Sequence, residues 1–445
     1  MRVLILTPSA ILYGGVERII EALNDGLPAR GIDVVVGLAK GGLFHDPERY
    51  RRAYPTLRSI ELDATTGTSE GRRRAIDGVL DRLKPDVVLI ARLSSALDVI
   101  AERKLRGDAL RAVFAVRAYE PNYFIDLARF GPFLDYCVVD GRLCLEAASE
   151  VCGFPAERTR SIPGGVPPAA AGVERRGGSP LRIGYVGRLE RDQKRILDLP
   201  EILKLLSARK LDFSCVIAGE GPAEAELRER TRSAGLGDRV RFAGACDSER
   251  LYREIYPNIE IFLHCAAWEG VTMAPREAMA HGAVPVVSRF RGLASEGMFL
   301  DGVNARTFPV GDVERAASIV AELAGDSEQW RRLSVAARSS QQGIRSHEGA
   351  LDAWAECFRR VRELSPRRGA AVPRVPRPAE GRLDRLFGFG PAETIRRVLR
   401  LRYRHEEPGG EWPHWTGVDD PELRRRVEEF AVRAEAVPSA SAAIR

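Results

Sequence analysis

Lysine is almost missing from this chain. Among its 445 residues only Lys40, Lys84, Lys104, Lys194, Lys204 and Lys210 carry an ammonium group, and arginine supplies the remainder of the 68 basic side chains. The bias runs the whole length, so arginine richness alone points to no ligand. Long apolar runs are also missing. The opening Arg2-Val3-Leu4-Ile5-Leu6-Thr7 meets Pro8 and then Gly14-Gly15, too soon for a signal-peptide core or a membrane span. It reads as a first β-strand. The seven cysteines stand singly (Cys137, Cys144, Cys152, Cys215, Cys246, Cys265, Cys357), with no close pair for a zinc site and an odd total. Reduced, buried thiols in a cytoplasmic protein are expected. Two nucleotide signatures are absent as well. Gly14-Gly15-Val16-Glu17-Arg18 lacks the spacing of a dinucleotide fingerprint, and there is no lysine-containing phosphate loop. No Asp-x-Asp pair follows a strand, which disfavours a divalent-ion mechanism.

What is present is an ordinary globular composition, 44% apolar and 29% charged, in a chain long enough for two domains. The net charge of +6 is uneven. Eleven arginines face three acids over residues 366–405, whereas five face nine over 406–445. The basicity therefore belongs to one segment near the C-terminus.

Short β-branched runs alternate with amphipathic stretches. Strands are expected at Val3–Leu6, Val34–Leu38, Val87–Ile90, Val113–Val116 and Tyr136–Val139, with helices such as Val16–Leu27 and Arg72–Leu83 between them. Pro163-Gly164-Gly165-Val166-Pro167-Pro168 then leads into a stretch rich in Ala, Gly and charge. The alternation restarts at Ile183–Val186, Phe213–Ala218, Val240–Ala243, Ile259–Leu263, Val284–Val287 and Ala305–Phe308. Two such series predict two facing, doubly wound α/β domains with a cleft between them. The expected division is 1–166, a linker 167–180, a second domain 181–345, a helix 346–365 and an extension 366–445. Within the extension, Pro366 to Pro378 reads as extended or disordered. Ala392–Tyr403 reads as a basic helix aligning Ile395, Val398, Leu399 and Tyr403, Glu411 to Trp415 is an aromatic cluster, and Leu423–Val432 reads as another helix.

The chemistry concentrates in Trp268-Glu269-Gly270-Val271-Thr272-Met273-Ala274-Pro275-Arg276-Glu277-Ala278-Met279-Ala280-His281-Gly282. Two carboxylates bracket a loop-to-helix transition whose free N–H groups suit an anionic or hydroxyl-rich ligand. Gly187-Arg188-Leu189 closes the first strand of the second domain, and Lys194 follows. There two cations can reach a diphosphate, although a solvated charged turn has the same appearance. Gly219-Glu220-Gly221-Pro222 is a tight strand-to-helix turn. His281 falls inside the helix after Glu277 and reads as structural. His264 ends a strand near the cleft and fits either a structural or a functional role.

Taken together these motifs resemble the retaining glycosyltransferases of family 4, with the GT-B fold. The resemblance extends to Ser161-Ile162-Pro163-Gly164-Gly165-Val166, Asp301-Gly302-Val303-Asn304 and Phe308-Pro309-Val310-Gly311-Asp312, and covers residues 1–365. It implies a nucleoside-diphosphate sugar as co-substrate, no cofactor and no metal. Arg188 and Lys194 would bind the diphosphate, Glu277 the ribose hydroxyls and Glu269 the transferred sugar, Glu269 acting with Arg188 and Lys194 in catalysis. Gly270, Val271, Thr272 and Met273 would offer backbone N–H groups, Gly15 would close on the phosphate, and the base would lie beside Cys246. The acceptor side would include Arg117, Tyr119 and Glu120, with Arg117 where the family often has a histidine. The acceptor would be a glycan, a lipid-linked intermediate or a small metabolite. Two other readings are a non-catalytic GT-B scaffold that binds nucleotide sugar and a sugar-nucleotide epimerase. Residues 366–405 are either a solvated extension or a peripheral contact with the inner face of a membrane. Nucleic-acid binding is not expected, since no recognition fold accompanies the charge.

Overall fold

The computed structural model describes residues 1–10, 12, 14–41, 45–169, 180–270, 272–404 and 416–436. Seven strands form the first sheet: β1 (Arg2–Thr7), β2 (Asp33–Lys40), β3 (Ser59–Asp63), β4 (Val87–Ile90), β5 (Arg111–Val116), β6 (Tyr136–Val139) and β7 (Thr159–Ser161). Six form the second: β8 (Leu181–Val186), β9 (Phe213–Ala218), β10 (Val240–Gly244), β11 (Ile261–His264), β12 (Val284–Ser288) and β13 (Arg306–Phe308). Every pairing is parallel. The orders are β3-β2-β1-β4-β5-β6-β7 and β10-β9-β8-β11-β12-β13. Helices cover both faces, so the central strands are apolar on both sides, as in Val3-Leu4-Ile5-Leu6 and Val87-Val88-Leu89-Ile90. Leu4 lies opposite Val35 on one side and Val88 on the other.

In each sheet the strand order reverses once, between β1 and β4 and between β8 and β11. At such a point the loops leaving the two strands part company and open a crevice at their carboxyl ends. The residues found there are Pro8 to Ala10, Gly14, Ala91-Arg92, Gly187-Arg188 and Cys265 to Gly270, and they carry most of the candidate site.

The chain crosses between the sheets twice, and the crossings are zipped together. Val166 N donates to Arg345 O at 2.9 Å and His347 N to Val166 O at 2.9 Å. Gly165 has no room for a side chain there, because a Cβ would press on Ser346 O and Ala350. Arg276, from the helix Met273–Ala280, clamps the junction. Its Nη1 donates to Gly164 O at 2.5 Å, Nη2 to Arg345 O at 3.1 Å and Nε to Gln341 Oε1 at 3.2 Å. The helix His347–Glu363 then returns across the first sheet, with Leu351, Trp354, Phe358 and Val361 packed among Val3, Ile5, Ile20 and Leu23.

Beyond it the structure departs from the expected extended or solvated tail. The segment after Leu364 is docked along the first domain. Arg367 N donates to Asp135 Oδ1 at 2.7 Å, beside the fully buried Lys104–Asp135 ion pair, and Arg377 pairs with Asp98 at 2.7 Å. The helix Pro421–Ala436 adds Leu423, Val427, Phe430 and Ala431 to the same core as Phe124, Leu127 and Ala147. Proline spacing and charge made this stretch look unfolded, but its partners are carboxylates and apolar faces of the first domain. The aromatic cluster 411–415 and most of the linker 167–180 lie outside the described residues.

Replacing Arg276 by methionine orphans Gly164 O and Gln341 Oε1, each worth roughly 1–3 kcal/mol. The variant should fold but melt several degrees lower by circular dichroism. An unchanged melting temperature would show that the crossings hold without the clamp.

Candidate active site

The two crevices face one another across a cleft of about 830 Å³. On the second domain, Arg188 follows β8 and projects into it. Arg188 Nη2 donates to Gln193 Oε1 at 2.7 Å, and Gln193 Nε2 donates to Trp268 O at 3.2 Å. Glu190 folds the intervening loop by accepting from the backbone N–H groups of Asp192, Gln193 and Lys194 at 2.9, 2.7 and 3.0 Å. The Gly219–Gly221 turn braces this loop from behind. Gly219 (φ 139°) lies against Gly187 O and Gly221 against Leu189 O, with no space for a Cβ at either. The close approach that requires glycine is thus loop to loop.

Lys194 reaches from the ordered loop to Glu269 and forms an ion pair with Oε1, both side chains being largely buried. His264, the last residue of β11, places Nε2 at 3.4 Å from the same oxygen. Burial alone would lift the Glu269 carboxyl. Lys194 and His264 outweigh it and hold the group at about 2. Burial also pushes the His264 ring below its ordinary value, against the pull of Glu269, so the imidazole is neutral near pH 7. Glu269 is a fixed anion there and has little capacity to shuttle protons.

The helix Met273–Ala280 starts at the cleft, with Thr272 at its N-cap making no side-chain capping bond. Gly270, Thr272 and Met273 all line the cleft, and Val271 lies outside the described residues. Gly270 sits so close to Arg117 O and Ala118 that a side chain would not fit. One turn into the helix, Glu277 accepts from Tyr256 OH at 2.5 Å and from Arg18 Nη2 at 2.7 Å. Arg18 belongs to the first domain, so this bond closes the cleft at one end. It also reaches Ser248 beside Cys246, and Glu21 accepts from Ser248 Oγ at 3.1 Å. Gly15 lines the opposite lip, against Met273. His281 is tied to Glu277 O at 2.8 Å and stacks on Tyr256, a structural place.

The acceptor-side residues divide. Arg117 is buried, paired with Asp140 at 2.6 Å and bonded to Ile162 O at 3.2 Å. Burial lifts the Asp140 carboxyl to about 7 despite Arg117 and Arg276. Tyr119 does not line the cleft. Its hydroxyl donates to Val427 O at 2.6 Å, in the C-terminal helix, because the turn before the helix Pro121–Phe130 rotates it inward. Glu120 and Tyr123 face the cleft. Burial raises the Glu120 carboxyl, against Arg92 and Arg188 and with some help from Glu269.

Four cleft arginines escaped the sequence reading. Arg18 lay in the quoted Gly14–Arg18 motif, where helical spacing from Gly15 could have flagged it. Arg92 has φ 65° and pairs with buried Glu17 at 2.8 Å. Arg49 and Arg52, on the helix Pro47–Ala53, line the first-domain wall with no ion-pair partner among the described residues.

Residues 172–340 match the family model for glycosyl transferases group 1. The chain is 35% identical over 119 residues to the lipopolysaccharide core biosynthesis mannosyltransferase LpsB of Rhizobium meliloti (strain 1021), covering 26% of this chain and 32% of that protein. It is 26% identical over 162 residues to the uncharacterized glycosyltransferase YqgM of Bacillus subtilis (strain 168), covering 36% of this chain and 43% of that protein. The chain thus spans less than half the length of these curated relatives. The fold of Anabaena Alr3699/HepE, solved in complex with UDP, superposes with a TM-score of 0.65 at 17% identity, over 81% of this chain and 100% of that one. The matched segment of the second domain is thus similar to the group 1 glycosyltransferases, and the two facing parallel sheets share the GT-B fold of the solved structures.

Proposed function

We propose that the protein is a retaining, family 4 type glycosyltransferase that moves a sugar from a nucleoside-diphosphate sugar to an acceptor hydroxyl. The observation that carries this reading is the Lys194–Glu269 pair beside Arg188 and an uncapped helix N-terminus, all at the switch point of the second sheet. Cleavage of the bond from the sugar C1 to phosphate oxygen leaves charge on the diphosphate. Arg188, Lys194 and the N–H groups near Thr272 and Met273 would meet that charge without a metal ion. In the retaining course the acceptor oxygen bonds to C1 from the face that the phosphate leaves, and the departing phosphate oxygen takes the acceptor proton. A side-chain base is then unnecessary, which suits a Glu269 carboxylate held far below neutral pH. Glu269 would hydrogen-bond the transferred sugar. Glu277 would take the ribose hydroxyls as Arg18 swings off, with the base beside Cys246 and Gly15 closing on the phosphate.

On the acceptor side Arg117 is committed to Asp140, so Glu120 is the polar group offered to the reacting sugar. The unpaired Arg49 and Arg52 favour an acceptor carrying an anionic group, on a glycan, a lipid-linked intermediate or a small molecule. The kinship with a lipopolysaccharide core mannosyltransferase supports a surface-glycan acceptor. Seven free thiols suit work in the cytoplasm. No helix among the described residues is long and apolar enough to cross a membrane.

The deciding experiment screens UDP-, GDP- and dTDP-sugars by thermal shift, then measures nucleoside diphosphate release with an acceptor panel in EDTA. Acceptor-dependent release with retained anomeric configuration is expected. Donor binding without release would favour a scaffold, and acceptor-independent conversion of the donor an epimerase. Glu277→Ala should weaken donor binding by about 10- to 100-fold in calorimetry, the loss of hydrogen bonds to a charged group. Arg49→Gln combined with Arg52→Gln should raise the acceptor KM about 10-fold, one charge-assisted contact or more, and leave the donor KM unchanged.

Glu269 also makes a pH prediction. A carboxylate lowered from 4.5 to about 2 contributes stability that is complete above pH 4.5 and is lost as pH falls toward 2. The contribution reaches up to about 3 kcal/mol. Melting curves of Glu269→Gln should therefore depend less steeply on pH than wild type between these limits. Parallel curves would contradict the assignment.

A further inference from the structure

The helix Phe389–Leu399 is amphipathic in the wrong sense for a soluble helix. Its aligned apolar positions do not all face the protein. Instead it buries Ala392, Glu393 and Arg396 and leaves Val398 75% and Leu399 61% exposed. The preceding helix Arg382–Phe387 likewise leaves Leu386 73% and Phe387 53% exposed, and Leu401 follows at 43%. Half of the large exposed apolar side chains among the described residues therefore fall within this one short segment.

The inversion has a clear cause. What docks the segment is polar. Thr66 Oγ1 and Thr68 Oγ1 donate to the two oxygens of Glu393 at 2.8 and 2.5 Å. Ser69 N and Oγ donate to Glu380 Oε2 at 2.7 and 2.9 Å, at the start of the helix Ser69–Leu83. Arg396 donates to Asp384 Oδ1 and to Glu380 O, both at 2.6 Å. The three acids of residues 366–404 are thereby all turned inward. The arginines are not. Arg382, Arg385, Arg397, Arg400, Arg402 and Arg404 are exposed, with Arg397 only 3.9 Å from Glu393 as a weak partner. The outward face presents guanidinium groups and apolar side chains, and this segment adds no exposed carboxylate to it.

We propose that this face rests on an anionic lipid surface. Its apolar side chains would enter the acyl boundary while the arginines engage headgroup phosphates. Other occupants answer less of the chemistry. A patch with this much apolar area and one sign of charge complements a surface that is apolar below and anionic above. Its place in the fold gives it a use. Tyr403 N donates to Thr66 O at 2.8 Å, in the loop leaving β3, so the face sits at the carboxyl end of the first sheet. That is the end carrying the cleft, and the helix Pro47–Ala53 with Arg49 and Arg52 runs directly into β3. Docking would bring the acceptor wall to the bilayer. This last link rests on the transferase reading, whereas lipid binding does not.

The test is co-sedimentation of the full chain with phosphatidylglycerol-containing and pure phosphatidylcholine vesicles. Wild type should pellet with the anionic vesicles only, and raising salt to ~0.5 M should weaken binding at least about 10-fold. Combined Leu386→Ser, Phe387→Ser, Val398→Ser and Leu399→Ser should abolish pelleting, as should combined Arg382→Gln, Arg385→Gln and Arg402→Gln. Both variants replace exposed groups, so their melting temperatures and donor thermal shifts should match wild type. Failure of wild type to pellet would overturn the proposal. So would full binding by the serine variant, which would indicate general polyanion affinity. A wild-type dimer made monomeric by the serine changes would assign the face to self-association. Binding that emerges only on deleting residues 405–415 would assign it to the chain's own segment. Loss of transfer with lipid binding intact would instead fault the enzymatic reading.

Discussion

Arg276 holds the two halves of the molecule in register. It has no exposed surface, and burial draws its guanidinium down to about 10. Such a group is tolerable only when its donors are engaged, and here they meet Gly164 O, Arg345 O and Gln341 Oε1. Two of those acceptors lie on the two chain crossings. One side chain and a short parallel bridge thus tie the two crossings together. The helix that carries Arg276 carries Glu277 next to it, pointing the other way, into the cleft. A movement of either domain that disturbed the clamp would shift the Glu277 carboxylate in the same stroke.

The cleft is also a lesson in how carboxylates are managed at low dielectric. Glu17 is answered by Arg92, Asp140 by Arg117, Glu269 by Lys194 and Glu277 by Arg18. Each partner comes from a different part of the chain, and the Arg18–Glu277 pair joins the domains. The charged cleft groups without an ion-pair partner among the described residues are informative. Arg188, Arg49 and Arg52 on one side of the balance, and Glu120 on the other, are the groups a ligand would find available. In a chain with so few lysines, Lys194 is placed where a compact ammonium can reach past a tight loop to a buried carboxylate.

Much of this was legible in the residues. Alternating apolar runs located eleven strands, because parallel strands covered on both faces must be continuously apolar. β3 and β7 escaped since Ser-Ile-Glu-Leu-Asp and Thr-Arg-Ser are short edge sequences with little to hide. The glutamate-bracketed loop could be read because its residue types fit only a few tasks. Tyr119 and Glu120 could not be sorted, as a one-residue rotation at a helix start decides which of them meets the cleft. The C-terminal extension was opaque for a deeper reason. Amphipathic patterning assumes that the apolar side packs inward, and here buried Glu393 and Arg396 did the docking instead.

Under the proposed function, the bond from Arg18 to Glu277 sets a cation on the carboxylate that would take the ribose hydroxyls. A nucleotide would then exchange with a tethered cation. Its affinity would be the difference between two sets of bonds, and the same cation would be at hand when the spent nucleotide loosened. The arrangement would trade tightness of capture for speed of release, and it would do so without any residue moving farther than the reach of one arginine.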